Sequence, residues 1–200
     1  MQAQCPNLVE SFSEDGIVIT DFTSNYDDRA YCSSLKGNGE FVLAGYTKVN
    51  SIEQRVGLVY YTWDGKPNTA VSGDGKVIST NSGTGHTPQD MEVMEDGKVL
   101  VGGYISDLTQ DGGRLLRFLP NGNFDPSFRT TGWMGLGFDG SHYTRIRSFD
   151  ILPSGHIYGT GVIEPDYFIK SKNILIFRVT PDGKRDSLFD SDGVKEIKFA

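Results

Sequence analysis

Gly97-Lys-Val-Leu-Val-Gly-Gly103 decides the fold, because the same frame stands 58 residues to either side, as Gly39-Glu-Phe-Val-Leu-Ala-Gly45 and Gly155-His-Ile-Tyr-Gly-Thr-Gly161. In each copy the outer glycines are six residues apart. An apolar run that closes on a turn follows each one: Leu58-Val-Tyr-Tyr-Thr-Trp-Asp-Gly65, Leu115-Leu-Arg-Phe-Leu-Pro-Asn-Gly122 and Ile176-Phe-Arg-Val-Thr-Pro-Asp-Gly183. Ten residues after each closing glycine comes another, at Gly75, Gly132 and Gly193. Repetition this regular specifies an architecture rather than a chemistry.

One period holds four short β candidates, namely Gly16-Ile-Val-Ile-Thr-Asp-Phe22 and residues 29–36, 41–46 and 56–63. Each is rich in Val, Ile, Leu, Phe and Tyr and bounded by Gly, Asp or Asn, the signature of strands. Asn38-Gly39, Asp96-Gly97 and Ser154-Gly155 mark tight hairpins, since glycine takes positive φ without steric cost. Phe41-Val-Leu-Ala and Val99-Leu-Val-Gly are continuously apolar, as strands covered on both faces are. Small residues at Ala44, Gly45, Gly102, Gly103, Gly159 and Gly161 are expected to let neighbouring sheets approach. Four-stranded sheets repeated in tandem and buried on both sides pack radially, as the blades of a β-propeller. The expectation is therefore an all-β, single propeller-type domain over residues 1–200, with three four-stranded antiparallel blades at about 16–74, 75–131 and 132–192. Residues 193–199 are expected to open a fourth. Three blades make a partial ring, which further repeats in a longer chain, homo-association or another chain would close.

Asn123-Phe-Asp-Pro-Ser-Phe128, Gly132, Glu95-Asp-Gly97-Lys-Val and Gly103-Tyr104 together resemble the bacterial delta-60 repeat, a propeller-forming unit of secreted and cell-surface proteins. The resemblance covers roughly residues 8 to 199 and is best in the middle copy. The first copy departs at Asn68-Thr-Ala-Val71, and the third has Val162 in place of the tyrosine after Gly161. The resemblance implies a propeller and an extracellular, periplasmic or cell-surface location, and it carries no catalytic residue.

Hydrophobic residues at 37% and charged residues at 22% lie in the globular range. A net charge of −7 with no basic block argues against nucleic acid and anionic membrane surfaces as partners. No apolar run approaches the ~20 residues that span a bilayer, so membrane insertion is not expected. Met1-Gln-Ala-Gln-Cys5 lacks the basic start and apolar segment of a signal peptide. Cys5 and Cys32 stand outside the repeat framework, as free thiols or as one bridge pinning the amino end.

Residues that break the repeat show no catalytic constellation. His86, His142 and His156 lack ligand spacing to one another, and His156 reads as a solvent-facing turn residue. Asp190-Ser-Asp-Gly193 reads as turn chemistry rather than a calcium loop. No cofactor or metal is expected. The connections between the first and second strands, and between the third and fourth, emerge at one end of the sheets and vary in length between copies. Loops on a rigid scaffold carry recognition, so this end supplies the candidate binding face: Tyr26, His86, His142, Tyr143 and Tyr167. The expected function is a non-enzymatic scaffold for protein or glycan recognition on a secreted or surface protein. The alternatives are a structural component of a larger surface or phage-tail assembly and a glycan-active propeller enzyme.

Overall fold

The computed structural model describes residues 8–22, 26–80, 85–106, 112–137, 143–164 and 172–198. Within them lie twelve strands: β1 Asp28–Leu35, β2 Phe41–Lys48, β3 Gln54–Tyr61, β4 Lys76–Ile78, β5 Thr87–Val93, β6 Val99–Ile105, β7 Gly112–Phe118, β8 Trp133–Gly135, β9 Tyr143–Ile151, β10 Ile157–Glu164, β11 Asn173–Val179 and β12 Val194–Ile197. They form three antiparallel four-stranded meanders, β1 to β4, β5 to β8 and β9 to β12, none closed on itself. The three four-stranded blades read from the repeat are therefore present.

Their phase is shifted by one strand from the expected boundaries. The strand after each Gly75-type glycine belongs to the sheet before it: β12, within the segment expected to open a fourth blade, pairs with β11 and completes the third. A tight reversal is the cause. Val71, Phe128 and Phe189 are each followed by left-handed residues (Ser72; Arg129 and Thr130; Asp190 and Ser191) and then by a positive-φ glycine. The chain thus returns against its own third strand, with Tyr60 N donating to Gly75 O at 2.8 Å, Arg117 N to Gly132 O at 2.7 Å and Arg178 N to Gly193 O at 2.9 Å. Passage to the next sheet comes later, after β4 and β8.

Two cores sit between the sheets. Val42, Ala44, Val56, Leu58 and Tyr60 of the first sheet meet Val99, Val101, Leu116 and Phe118 of the second. Leu100, Leu115, Phe128 and Met134 on the other side of the second sheet meet Ile157, Leu175, Phe177 and Val179 of the third. The continuously apolar β6 is buried on both faces for this reason. The outward face of the first sheet is covered as well: residues 8–22 lie across it, with Phe22 against Gly57, and Tyr61 is only 2% exposed.

The frame glycines have two distinct duties. Gly102 admits the next sheet, since a Cβ there would come 2.8 Å from the Phe149 ring. Gly45, Gly103 and Gly161 instead serve their own sheet. Each inner strand carries a β-bulge, at Tyr31, Gln89 and Arg147, that breaks the register opposite them. The bulge drives the carbonyls of Arg29, Thr87 and Arg145 into the space a Cβ would fill. Gly103→Ala is therefore expected to cost about 3 kcal/mol, the upper end for overpacking, and to lower Tm by about 6–12 °C for a chain of this size. Gly137→Ala, with open space around it, is expected to stay within about 0.5 kcal/mol of the parent; thermal denaturation of the two variants checks the pair.

Candidate functional site

Side chains from different repeats converge in two places, along the inner strands and at the turns closing β3, β7 and β11. At the turns, the spacing Arg117 to Asp125 returns as Arg178 to Asp186. Arg117 Nε donates to Asp125 Oδ2 at 2.8 Å, its Nη2 donates to Ser127 Oγ at 3.0 Å, and its Nη1 crosses to the Pro181 carbonyl of the next sheet at 2.7 Å. The guanidinium also lies 4.5 Å from the Phe128 ring centroid. Burial alone would raise the Asp125 carboxyl, but the Ser127 hydroxyl and N–H and the Arg117 charge outweigh it and hold it below the usual range. In the third sheet Arg178 Nε stands 2.7 Å from Asp186 Oδ2, while its Nη1 donates to the Tyr158 hydroxyl at 2.8 Å. Tyr158 occupies the place of Leu100, so the third sheet satisfies within itself the donor that Arg117 sends onward. The first sheet has Tyr60 and Asn68 at these two places and no such ion pair.

His156, read as solvent-facing, is drawn into this cluster, with Nε2 3.5 Å from Asp186 Oδ2 and about a third of its side chain exposed. The Asp190-Ser-Asp-Gly193 acids are turn chemistry as expected: Asp192 Oδ1 accepts from Val194 N at 2.9 Å, and Asp190 has φ 48°.

Along the inner strands β1, β5 and β9, polar side chains reach from one repeat to the backbone of the next. Ser34 Oγ accepts from Val93 N at 3.3 Å, and Asp90 Oδ2 accepts from Phe149 N at 2.9 Å and from Ser148 Oγ at 2.8 Å. Glu92 accepts from the Ile151 N–H; burial, chiefly, and the nearby Asp150 and Asp90 charges raise its carboxyl pKa despite that bond. One level above, Arg147 Nη1 donates to Gln89 Oε1 at 2.6 Å. Cys32, in the same place as Asp90, has its thiol pushed up to about 12 by burial and then by Asp90, which leaves it protonated and a poor nucleophile. The carboxylates that converge here join strands.

The candidate face read from the sequence is only partly assembled by the structure. Tyr26 is 44% exposed beside β1, and Tyr143, half-buried, begins β9 at the same end. His142 and Tyr167 lie outside the described residues. His86 is corrected: it is 1% exposed and packed between the first and second sheets near Val56, Tyr104 and Leu116, with its carbonyl accepting from Gln54 Nε2 at 2.6 Å. The reason is positional. Its equivalent Thr144 is likewise buried and takes the Gly113 N–H at 2.8 Å, so this point of the repeat is where an arriving connection wedges between consecutive sheets. The Arg–Asp pairs and the inner-strand bonds escaped the sequence reading. The eight-residue spacing from Arg117 and Arg178 was the signal for the pairs; the bonds needed the geometry.

Arg117→Ala leaves the buried Asp125 with only the more distant Lys98 Nζ, 3.7 Å away, as counter-charge and is expected to cost about 3 kcal/mol. The double substitution Arg117→Tyr with Asp125→Asn, which copies Tyr60 and Asn68, is expected to recover at least half of that. The Asp125 contribution, present above its unfolded pKa of about 4, is lost as pH falls through its lower folded value. Urea titrations between about pH 5 and pH 2 are expected to show a shallower acid loss in the double variant than in the parent.

No curated protein matches the chain. Residues 95–128, which run from the β5–β6 turn through β6 and β7 to Phe128, match the family described as "Domain of unknown function (DUF5122) beta-propeller". This segment contains the Glu95-Asp-Gly-Lys-Val and Asn123-Phe-Asp-Pro-Ser-Phe motifs, and this short match is consistent with a β-propeller repeat of the delta-60 type.

Proposed function

We propose that the chain is a non-enzymatic propeller scaffold whose variable loop end recognises a protein or glycan, on a secreted or surface protein. One observation carries this reading. The polar groups that recur or converge across repeats, Arg117 with Asp125, Arg178 with Asp186, Ser34, Asp90 and Glu92, are spent on joining strands and sheets. The repeats vary in length at the β2–β3 end, where Gly45 to Gly65 runs 20 residues, Gly103 to Gly122 19 and Gly161 to Gly183 22.

At that end Tyr26 is exposed, Tyr143 begins β9, and Asn50 shapes the β2–β3 turn by accepting from Ile52 N and Glu53 N. Arg145 stacks over the Tyr104 ring at 4.7 Å, and Arg29 lies 5.9 Å from the Tyr46 ring centroid. Tyr46 itself is buried, so of these groups it is the exposed Arg29 and the half-buried Arg145 and Tyr104 that offer contact area pre-ordered by stacking, the kind of group that dominates recognition surfaces. The secreted or surface setting rests on the delta-60 resemblance.

Screening the intact chain on a glycan array, with protein partners sought by cross-linking on intact cells, is expected to yield a saturable ligand. Tyr26→Ala combined with Tyr143→Ala is expected to weaken it at least tenfold, about 1.4 kcal/mol, with melting unchanged. Binding untouched by the pair would remove the loop end from recognition.

A further inference from the structure

Where the closing strand of one sheet meets the turn after the third strand of the next, the two junctions are filled differently. Between the second and third sheets, the half-buried Arg185, two residues past Gly183, donates through Nη2 to the Gly137 carbonyl, so a guanidinium from the third sheet rests on the end of the second. The residue before that carbonyl, Leu136, is fully buried.

Between the first and second sheets both of those side chains are replaced. Phe124 stands two residues past Gly122 as Arg185 does past Gly183, and the same isolated bridge marks both positions, Phe118 with Phe124 and Val179 with Arg185. Ser79 and Thr80, four and five residues past Gly75, hold the places of Leu136 and Gly137, four and five past Gly132. Phe124 stays on its own sheet, its ring 4.8 Å from that of Phe118. A serine in place of leucine, and a ring in place of a crossing arginine, leave a cavity of about 210 Å³ lined by Val77, Ser79, Thr80, Phe118, Asn123 and Phe124 among others. That is far more than the roughly 10–15 Å³ that admits one water.

Ser79 says what chemistry belongs there. It is 2% exposed, its N–H is committed to Val56 O at 2.9 Å, and its hydroxyl has no hydrogen-bond partner among the described residues. Buried polar groups are almost always paired, so an orphaned hydroxyl beside a cavity calls for a group that enters it. We propose that this cavity is a binding site for a guanidinium, the end of an arginine side chain of a partner protein. The guanidinium donates to the Thr80 carbonyl, as Arg185 does to Gly137, and to the Ser79 hydroxyl, with its plane on the Phe124 ring. A planar fork of donors meets two acceptors and a ring face together, which the point charge of lysine does not. The net charge of −7 favours a cationic partner. The partner thus supplies from outside what the third sheet supplies to the second from within. The site is separate from Tyr26 and Tyr143 and does not depend on recognition at the loop end.

The test follows the intact chain by heteronuclear NMR while it is titrated with the peptide acetyl-Gly-Arg-Gly-amide and, separately, with acetyl-Gly-Lys-Gly-amide and free arginine. The expected result with the arginine peptide is saturable shifts of the Ser79, Thr80 and Asn123 amides and nuclear Overhauser contacts from its δ-methylene to the Phe124 ring. The lysine peptide is expected to bind at least fivefold more weakly. Ser79→Leu, which copies Leu136, is expected to weaken binding at least tenfold with melting at or above that of the parent. Ser79→Ala, which keeps the space and loses the hydroxyl, is expected to weaken it about threefold. No saturable shift up to about 20 mM, well past the range of a millimolar side-chain site, equal affinity for the two peptides, or unchanged binding by Ser79→Leu would overturn the proposal. Free arginine binding more tightly than the peptide would overturn its assignment to a partner protein. Should Ser79→Leu fail to fold, the contacts to the Phe124 ring in the parent chain decide alone.

Discussion

Each repeat ends in an element that bonds in two directions at once, and the array depends on it. The Phe-type turn returns the chain to its own third strand through the Gly75, Gly132 and Gly193 carbonyls. Its other side rests on the Asp-Gly turn of the following sheet, through Ser13 N to Asp64 O and Arg129 N to Asp182 O. At the middle junction, where the first repeat has Val71 in place of phenylalanine, the contact becomes apolar, with Gly122 against Val71 and Val77. Closing a sheet and placing the next one are thus a single event, which is why the spacing from Gly65 to Gly75 and in its counterparts is ten residues each time.

Arg117 shows how such an element carries charge into a buried junction. A guanidinium removed from water is costly unless its donors are met, and here they go to Asp125, Ser127 and the next sheet's Pro181 carbonyl. The first repeat drops both partners together, Tyr60 and Asn68 replacing the pair. The third repeat keeps Arg178 and adds the Tyr158 hydroxyl as acceptor. Three repeats therefore meet the same desolvation problem by sharing, deletion and internal satisfaction. A parallel economy holds on the inner strands, where Ser34, Asp90 and Glu92 make bonds between sheets that have no backbone ladder between them.

Architecture was legible in the sequence because glycine spacing and apolar runs are one-dimensional records of turns and doubly covered strands. Blade phase was not. Residues 193–199 read equally well as the first strand of a new unit or the last of an old one, and only the left-handed pair at Asp190 and Ser191 sends the chain back. The role of Gly103 was misread in part for a similar reason: a glycine in a strand signals close approach, but whether from the next sheet, as at Gly102, or from a bulge in the same sheet depends on register. His86 looked like a loop histidine, yet its place in the repeat is an inter-sheet wedge.

The sequence by itself determined the strand count per period, the all-β class, the tandem order and the end of the sheets at which the repeats vary. Those follow from periodicity and from residue preferences that act over a few positions. Tertiary structure alone decided which strand closes which sheet, which polar side chains join neighbouring repeats, and that residues 8–22 cover the first sheet. These contacts join residues 17 positions apart in the Phe177 and Val194 pair, 41 apart in Thr20 with Tyr61 and 64 apart in Arg117 with Pro181. Their geometry is set by backbone twist and bulges, which no local pattern encodes.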